Sequence, residues 1–367
     1  MYPLITCDLG KLRRNAVALK DACRARGVLF CAVTKCVCGE PAVAAALEDI
    51  ADGFADSRIT NLRRYVTDKP KMLLRIGDPQ LAGDIAAHAD LSLQSEEKTL
   101  RALSASARAL QRLHRVVLMV DLGDLREGLM VRDRPAILRA ARTARDAPGL
   151  SLEGIGTNLT CFGGILPDPE NLGRLVELAE WLRQELDLPL PLVSGGNSSS
   201  LGLLLRGQMP RGITHLRIGE AMLLGNDTAA GAPFDFLSAD VFTLSASLGE
   251  VQRKPSMPLG SRGPNAFGER VSFEDRGPML RGIALIGRQD TDAEGLRPRD
   301  GRIRILGASS DHLVLDLTDA PGYSVGDPVH FGLSYGALLR AYTSPYVAKE
   351  WIPWERQPDS GSAARGD

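Results

Sequence analysis

Cysteine is scarce and unevenly placed. The six cysteines, at positions 7, 23, 31, 36, 38 and 161, form no Cys-x-x-Cys pair, and none follows Cys161. A disulfide framework or a zinc site is therefore poorly supported, and the thiols read as small buried groups near strands. Charge of one sign is also missing. Lys and Arg total 44 against 45 Asp and Glu, for a net charge of -1, with no long basic run. Bulk electrostatics gives no argument for nucleic acid or a membrane surface. No apolar run is long enough to span a bilayer. The opening Met1-Tyr2-Pro3-Leu4-Ile5 has no basic stretch followed by an apolar one. No signal peptide is expected, and the expected location is the cytoplasm.

What is present is alternation. The chain has 367 residues and is 44% hydrophobic, enough for a large domain and a smaller one. Ile5 to Asp8 reads as extended. Asp8 is a plausible N-cap for a helix whose face carries Leu9, Leu12, Ala16, Leu19 and Cys23, with Gly27 as its C-terminal cap. Short apolar strands follow near 28–33, 53–55, 71–76, 90–93, 116–121, 154–158, 191–193 and 215–218. Amphipathic helical patterns lie between them, such as Leu100, Leu103, Ala107, Leu110. Another runs Leu172, Leu175, Ala179, Leu182, Leu186, capped by Asp168 with Pro169 at the first helical position. Eight strand–helix alternations predict an α/β fold, an N-terminal (β/α)8 TIM barrel. A doubly wound sheet is the alternative, but no G-x-G-x-x-G follows a first strand.

After Asp227 the texture changes. Residues 240–248 alternate apolar and polar, a Pro/Gly-rich loop spans 254–277, and short strands are predicted near 283–286, 302–306, 313–317 and 328–331. This reads as a C-terminal mainly β domain. The expected organisation is a barrel over 1–230, the β domain over 231–355, and a small, polar, disordered tail over 356–367.

In a barrel, functional residues collect at the C-terminal ends of the strands. Lys35 ends the first, within Cys31-Ala32-Val33-Thr34-Lys35-Cys36. A lysine there either snorkels to solvent or serves as a Schiff-base lysine for an aldehyde cofactor. The fifth strand ends in Asp121-Leu122-Gly123-Asp124-Leu125-Arg126-Glu127-Gly128, which is a solvated loop or a substrate clamp. The sixth ends in Thr157-Asn158-Leu159-Thr160-Cys161, and Asn158 either lies beside a planar ring or bonds its own turn. The seventh ends in Ser194-Gly195-Gly196-Asn197-Ser198-Ser199-Ser200, rich in close-approach glycines and hydroxyls that suit a phosphate. The eighth ends in Arg217-Ile218-Gly219-Glu220, where the alternative reading of Arg217 is a strand-end ion pair with Glu220 or a nearby carboxylate.

These residues resemble the fold type III pyridoxal-phosphate enzymes, the alanine racemase-like family. The resemblance rests on the lysine after strand one, Ser-x-Gly-x-Ser after strand seven and Arg217-Ile218-Gly219 after strand eight, and covers nearly the whole chain except the tail. Residues 54–58, 121–128, 194–200, Gln289-Asp290-Thr291-Asp292 and Gly307-Ala308-Ser309-Ser310-Asp311-His312 are similar to the ornithine racemase branch. The resemblance implies pyridoxal 5'-phosphate as cofactor, held covalently by Lys35. It implies a phosphate cradle of Asn197, Ser198, Ser199 and Gly219, with Tyr335 reaching the phosphate. It places Arg217 towards the pyridine nitrogen, Arg126 near the phenolic oxygen and Asn158 beside the ring. It also implies an amino-acid substrate and a head-to-tail homodimer with a shared active site.

Two departures matter. The catalytic tyrosine expected near the start of the β domain is missing from Gly287-Arg288-Gln289-Asp290-Thr291-Asp292, and Gly39 stands where a tyrosine usually follows the lysine. Racemisation needs a base on each face of Cα. Lys35 is one, and His312, Asp311 and Asp290 are the candidates for the other. The cluster Asp290, Asp292 and Asp311 would alternatively bind a cationic side chain, as ornithine or lysine presents. The implied activity is interconversion of L- and D-ornithine or another basic amino acid. Alanine or serine racemisation and a non-catalytic cofactor carrier are the alternatives. A decarboxylase would want a C-terminal Cys-Asp motif, and a zinc-dependent aldolase or dehydratase a His/Cys pair where only His312 and His330 stand.

Overall fold

A computed structural model describes residues 1–354. The tail expected to be disordered, 356–367, lies outside the described residues. Two compact units form, one from Arg13–Ala239 and one from Met1–Leu12 together with the chain from Asp240 onward.

The first unit is a closed parallel barrel. Its eight strands are Leu29–Val33, Gly53–Asp56, Lys71–Leu73, Leu91–Gln94, His114–Asp121, Leu150–Gly156, Leu192–Ser194 and His215–Ile218. Each pairs in parallel with its neighbour, and the eighth lies beside the first, with Arg217 opposite Cys31. The fourth pairs with the fifth, Leu93 opposite Val117, so the ring has no gap. The eight expected strands are all present, with ends shifted by a few residues. The sixth starts four residues early because Leu150 and Leu152 alternate with Ser151 and Glu153 and fit the pleat.

The barrel is filled by side chains. Cys31, Val33, Ala55, Met72, Leu91, Leu93, Val117 and Met119 pack together, none more than 6% exposed. Burying each large apolar side chain stabilises the fold by about 1.5–3 kcal/mol. Helices cover the outside. Pro169–Leu186 starts in a capping box, with Asp168 accepting from the Asn171 amide while the Asn171 side chain accepts from the Asp168 amide. It buries Leu172, Leu175, Ala179, Leu182 and Leu186. No helix among the described residues is long and apolar enough to cross a membrane.

The second unit is built on a mainly antiparallel sheet. Its long strand, Phe242–Pro255, pairs with Pro328–Leu333 and with Pro278–Ala284; Leu313–Asp316 and Arg304–Ala308 continue the sheet beyond Pro278–Ala284. The chain's first strand, Leu4–Asp8, joins this sheet. It runs antiparallel to Phe242–Pro255 and parallel to Ala348–Ile352.

One glycine shows how tightly the barrel closes. A Cβ at Gly154, on the sixth strand, would lie 1.7 Å from the Leu192 carbonyl oxygen on the seventh. Gly154→Ala is therefore expected to destabilise the protein by about 3 kcal/mol or more, read as a lowered denaturant midpoint. A change below about 0.5 kcal/mol would mean that the two strands separate easily.

Candidate active site

The first strand delivers its lysine on a tight turn. Lys35–Val37 is a single 3-10 turn that starts at Thr34 and ends at Cys38, whose φ is 52°. The Thr34 carbonyl accepts from the Val37 and Gly39 amides at 3.0 and 3.3 Å. Cys36, within this turn, is buried, which pushes its thiol pKa up. That thiol is protonated at neutral pH and is no nucleophile.

The seventh strand ends in a hydroxyl-rich turn. Asn197 fixes it, its side-chain oxygen accepting from the Ser199 amide at 2.8 Å. The Ser198 Oγ accepts from the Gly219 and Ala221 amides, both at 3.2 Å, which ties this turn to the end of the eighth strand. Its own hydrogen is left to donate. The Ser199 hydroxyl is buried and has no partner, and so is the Thr157 hydroxyl at the end of the sixth strand. An unmade buried hydrogen bond costs about 1–3 kcal/mol. Hydroxyls kept that way at a strand-end rim are what a bound anion would satisfy, so these residues fit a phosphate group.

Arg217 is 3% exposed on the eighth strand. Its guanidinium donates to Ser194 Oγ and, at 2.7 Å, to the Thr157 carbonyl rather than to Glu220. Burial lowers its pKa to about 10, opposed by the Glu127 carboxylate. It therefore remains a cation at neutral pH. Ser194 Oγ also lies 2.8 Å from Nδ1 of His215, whose pKa burial lowers to about 3. A neutral imidazole accepts the Ser194 hydrogen, so the hydroxyl oxygen is free to accept from Arg217. Glu220 is also part of this rim. Burial raises its carboxyl pKa, against the effects of Asn226 and the Lys35 charge.

The fifth-strand loop is built on its acids. Asp121 accepts from the Gly123 and Leu125 amides at 2.7 and 3.2 Å. Asp124 is 1% exposed and accepts from four amides of the sixth-strand loop, those of Thr160, Cys161, Phe162 and Ile165, at 3.0–3.2 Å. This loop is therefore an ordered anchor. Arg126 projects from it and chelates the Glu127 carboxylate. The Asn158 amide sits between Arg126 and Asn197. Its oxygen accepts from Asn197 Nδ2 at 3.0 Å or, turned over, from both terminal nitrogens of Arg126 at 3.2 and 2.5 Å.

The family model for the alanine racemase N-terminal domain matches residues 7–227. The chain belongs to this family. It is 44% identical over 355 residues to the ornithine racemase of Acetoanaerobium sticklandii, covering 96% of this chain and 100% of that protein. It is 37% identical over 357 residues to the lysine racemase of Thermotoga maritima, covering 96% and 99%. Among solved structures, the alanine racemase of the D-cycloserine producer Streptomyces lavendulae superposes with a TM-score of 0.74 at 20% identity over 96% of this chain and 97% of that one. The alanine racemase of Bartonella henselae with covalently bound pyridoxal phosphate gives 0.70 at 17% identity over 95% and 99%. The barrel with its antiparallel C-terminal unit is thus the fold of this family.

Seven predicted site residues gather with Lys35 at one end of the barrel: Arg126, Asn158, Asn197, Ser198, Ser199, Arg217 and Gly219. The other four lie in the second unit. Tyr335 opens the helix Tyr335–Thr343. The Asp290 carboxylate is buried and accepts from the Ser344 hydroxyl at 2.6 Å. Asp311 is exposed, and the adjacent, half-buried His312 has its Nδ1 3.5 Å from the Asp311 Oδ1. The Ser310 hydroxyl lowers the Asp311 pKa. Among the described residues no His, Cys, Asp and Glu group could hold a metal ion. Sequence reading did not single out Ser194, Thr157 or Asp124 within their strand-end runs, and it passed over His215. Alternation would have placed His215 and Arg217 on one face of their strand, since they are two residues apart.

Two buried histidines set an acid limit. His215 is held near a pKa of about 3 and His114 near about 4, both by burial, against an ordinary 6.5. The unfolded chain binds protons at these sites between those values and 6.5, so stability is full above 6.5 and is lost as pH falls through that window. Urea unfolding from pH 7.5 to 4 is expected to show that loss, and His215→Gln to flatten it. A curve unchanged by His215→Gln would contradict the assignment of His215 as buried and neutral.

Proposed function

We propose that this protein is a pyridoxal 5'-phosphate-dependent amino-acid racemase, an isomerase that interconverts L- and D-ornithine and accepts lysine less well. The observation that carries the reading is full-length similarity to a protein named ornithine racemase, at 44% identity, above that to a lysine racemase. The strand-end chemistry supports it: a lysine on a fixed turn, two buried hydroxyls without partners, and a buried cation.

Bound there, pyridoxal phosphate would withdraw electrons from an attached amino acid and so acidify its Cα–H. Lys35 would hold the cofactor and then take or return the Cα proton on one face through its Nζ. Ser198, Ser199 and Gly219 would bind the phosphate. Arg217 would keep its charge and disfavour protonation of the nearby ring nitrogen, which restrains side reactions. Arg126, steadied by Glu127, would bind the substrate carboxylate. His312 is the strongest candidate for the opposite face. Asp290 is committed to Ser344, and Asp311 is a weaker base because its pKa is lowered. Asp311 and Asp292 are then left for the substrate's side-chain ammonium.

The proposal includes a cytoplasmic head-to-tail homodimer, in which the β domain of one subunit completes the barrel mouth of the other. Six cysteines outside any disulfide suit a reducing compartment. Sedimentation is expected to give an active dimer, and an active monomer would remove the shared site.

The function is tested with L-ornithine in heavy water, beside L-lysine, L-arginine, L-alanine and L-serine. D-ornithine carrying deuterium at Cα is expected, and none from Lys35→Ala. His312→Ala is expected to slow the reaction at least about 100-fold. Cofactor bound to Lys35 with no Cα exchange in any substrate would instead identify a carrier.

A further inference from the structure

Three residues linked through Thr34, which precedes Lys35, have no part in that chemistry: Thr34 itself, Asp56 and Tyr65. Asp56 ends the second barrel strand and is fully buried. Its Oδ1 accepts from the Arg58 amide at 3.0 Å and from Asn61 Nδ2 at 2.9 Å, and its Oδ2 lies 3.4 Å from the Thr34 hydroxyl. No described ion pair involves it, and burial raises its pKa. A carboxylate buried without a cation is costly, so its retention calls for a role.

Thr34, also fully buried, links it to Lys35. The Tyr65 hydroxyl donates to Thr34 Oγ1, whose own hydrogen goes to Asp56 or to the Ala55 carbonyl at 3.3 Å. The Thr34 carbonyl closes the turn that carries Lys35. The turn is pressed against the same segment, since a Cβ at Gly39 would stand 2.7 Å from the Asn61 Cβ and 3.1 Å from the Tyr65 hydroxyl oxygen. A lysine amine rides on four rotatable bonds, so its placement depends on how firmly its backbone is held.

We propose that Asp56, acting through Thr34, is a positioning residue that fixes the Lys35 turn and hence the approach of the Lys35 amine to the substrate's Cα. This rests on the reading of Lys35 as the cofactor lysine. A carboxylate suits this place because the Arg58 N–H and the Asn61 amide converge on one of its oxygens while the other faces the Thr34 hydroxyl. An asparagine there has a single oxygen and turns N–H groups towards one of these donors.

The test uses full-length holoprotein carrying Asp56→Asn, Thr34→Val or Thr34→Ser, and the Asp56→Asn, Thr34→Val double variant. Visible circular dichroism of the bound cofactor is read beside kcat and KM in both directions. Asp56→Asn and Thr34→Val are each expected to lower kcat about 10- to 100-fold, to leave KM within about twofold and to change the dichroic band. The double variant is expected to be no worse than the worse single, since both act through one contact. Thr34→Ser, which keeps the hydroxyl, is expected to behave as the parent. Should Asp56→Asn fail to fold, Thr34→Val against Thr34→Ser decides. Parent-like dichroism and kcat in Thr34→Val, or equal damage in Thr34→Ser, overturns the proposal. Borohydride reduction and mass spectrometry of the parent separate the two claims: no cofactor adduct on Lys35 defeats the functional reading, whereas an adduct with parent-like variants defeats only the positioning role.

Discussion

Closure of eight parallel strands is the constraint on which the site depends. Because the eighth strand must pair with the first and the fourth with the fifth, all strand C-termini lie on one rim. Residues more than 180 positions apart, Lys35 and Arg217, are brought to neighbouring strands by that pairing alone. The close approach at Gly154 belongs to the same constraint, since two strands carrying parts of the site touch there. The packed interior of Cys31, Val33, Leu93 and Met119 is what holds the rim in register.

A buried guanidinium is an expensive group, and the neighbours of Arg217 show how it is tolerated. Arg217 is bonded to neutral oxygens, from Ser194 and Thr157, while the negative charge of Glu127 acts from the loop after the fifth strand. Neutral partners keep the site from collapsing into a closed ion pair, so the cation's field remains directed at whatever lies on the rim. His215 contributes by being unable to charge. Protonated, it would repel Arg217 and stop accepting from Ser194. A depressed histidine therefore serves the arginine, which is why both sit on the same face of one short strand.

Much of this was legible in the residues. Eight apolar strands, the lysine at the first strand end, the serine-rich turn and the arginine at the last all follow from alternation and turn chemistry, and the structure brings them to one end of the barrel. What escaped was the use of acids. The run from Asp121 to Gly128 reads equally as a solvated loop, because a carboxylate that caps amides looks in sequence like one that faces water. Only the fold shows four N–H groups of residues 160–165 converging on Asp124. Strand ends were misjudged by a few residues for a related reason. Period-two alternation marks a strand's faces but not the residue where the ladder stops.

The partners of the N-terminal strand escaped for a different reason, and they say something about how the second unit is made. Leu4–Asp8 is followed at once by the helix Leu9–Arg24, so local grammar reads it as the start of the barrel. Its partners are more than 230 residues away, and no periodicity carries that information. Leu4 pairs with Ser245 on one side and with Ala348 on the other. This sheet therefore cannot be completed from any one stretch of chain. Its ladder gathers residues from near both ends, whereas the barrel is assembled mostly from successive strand–helix units of local contacts. Loop-closure entropy opposes the former more than the latter. The barrel, which carries Lys35, Arg217 and the serine turn, can thus form from contiguous sequence, while the sheet of the unit that contains Asp290, Asp311, His312 and Tyr335 draws on strands from near both ends of the chain.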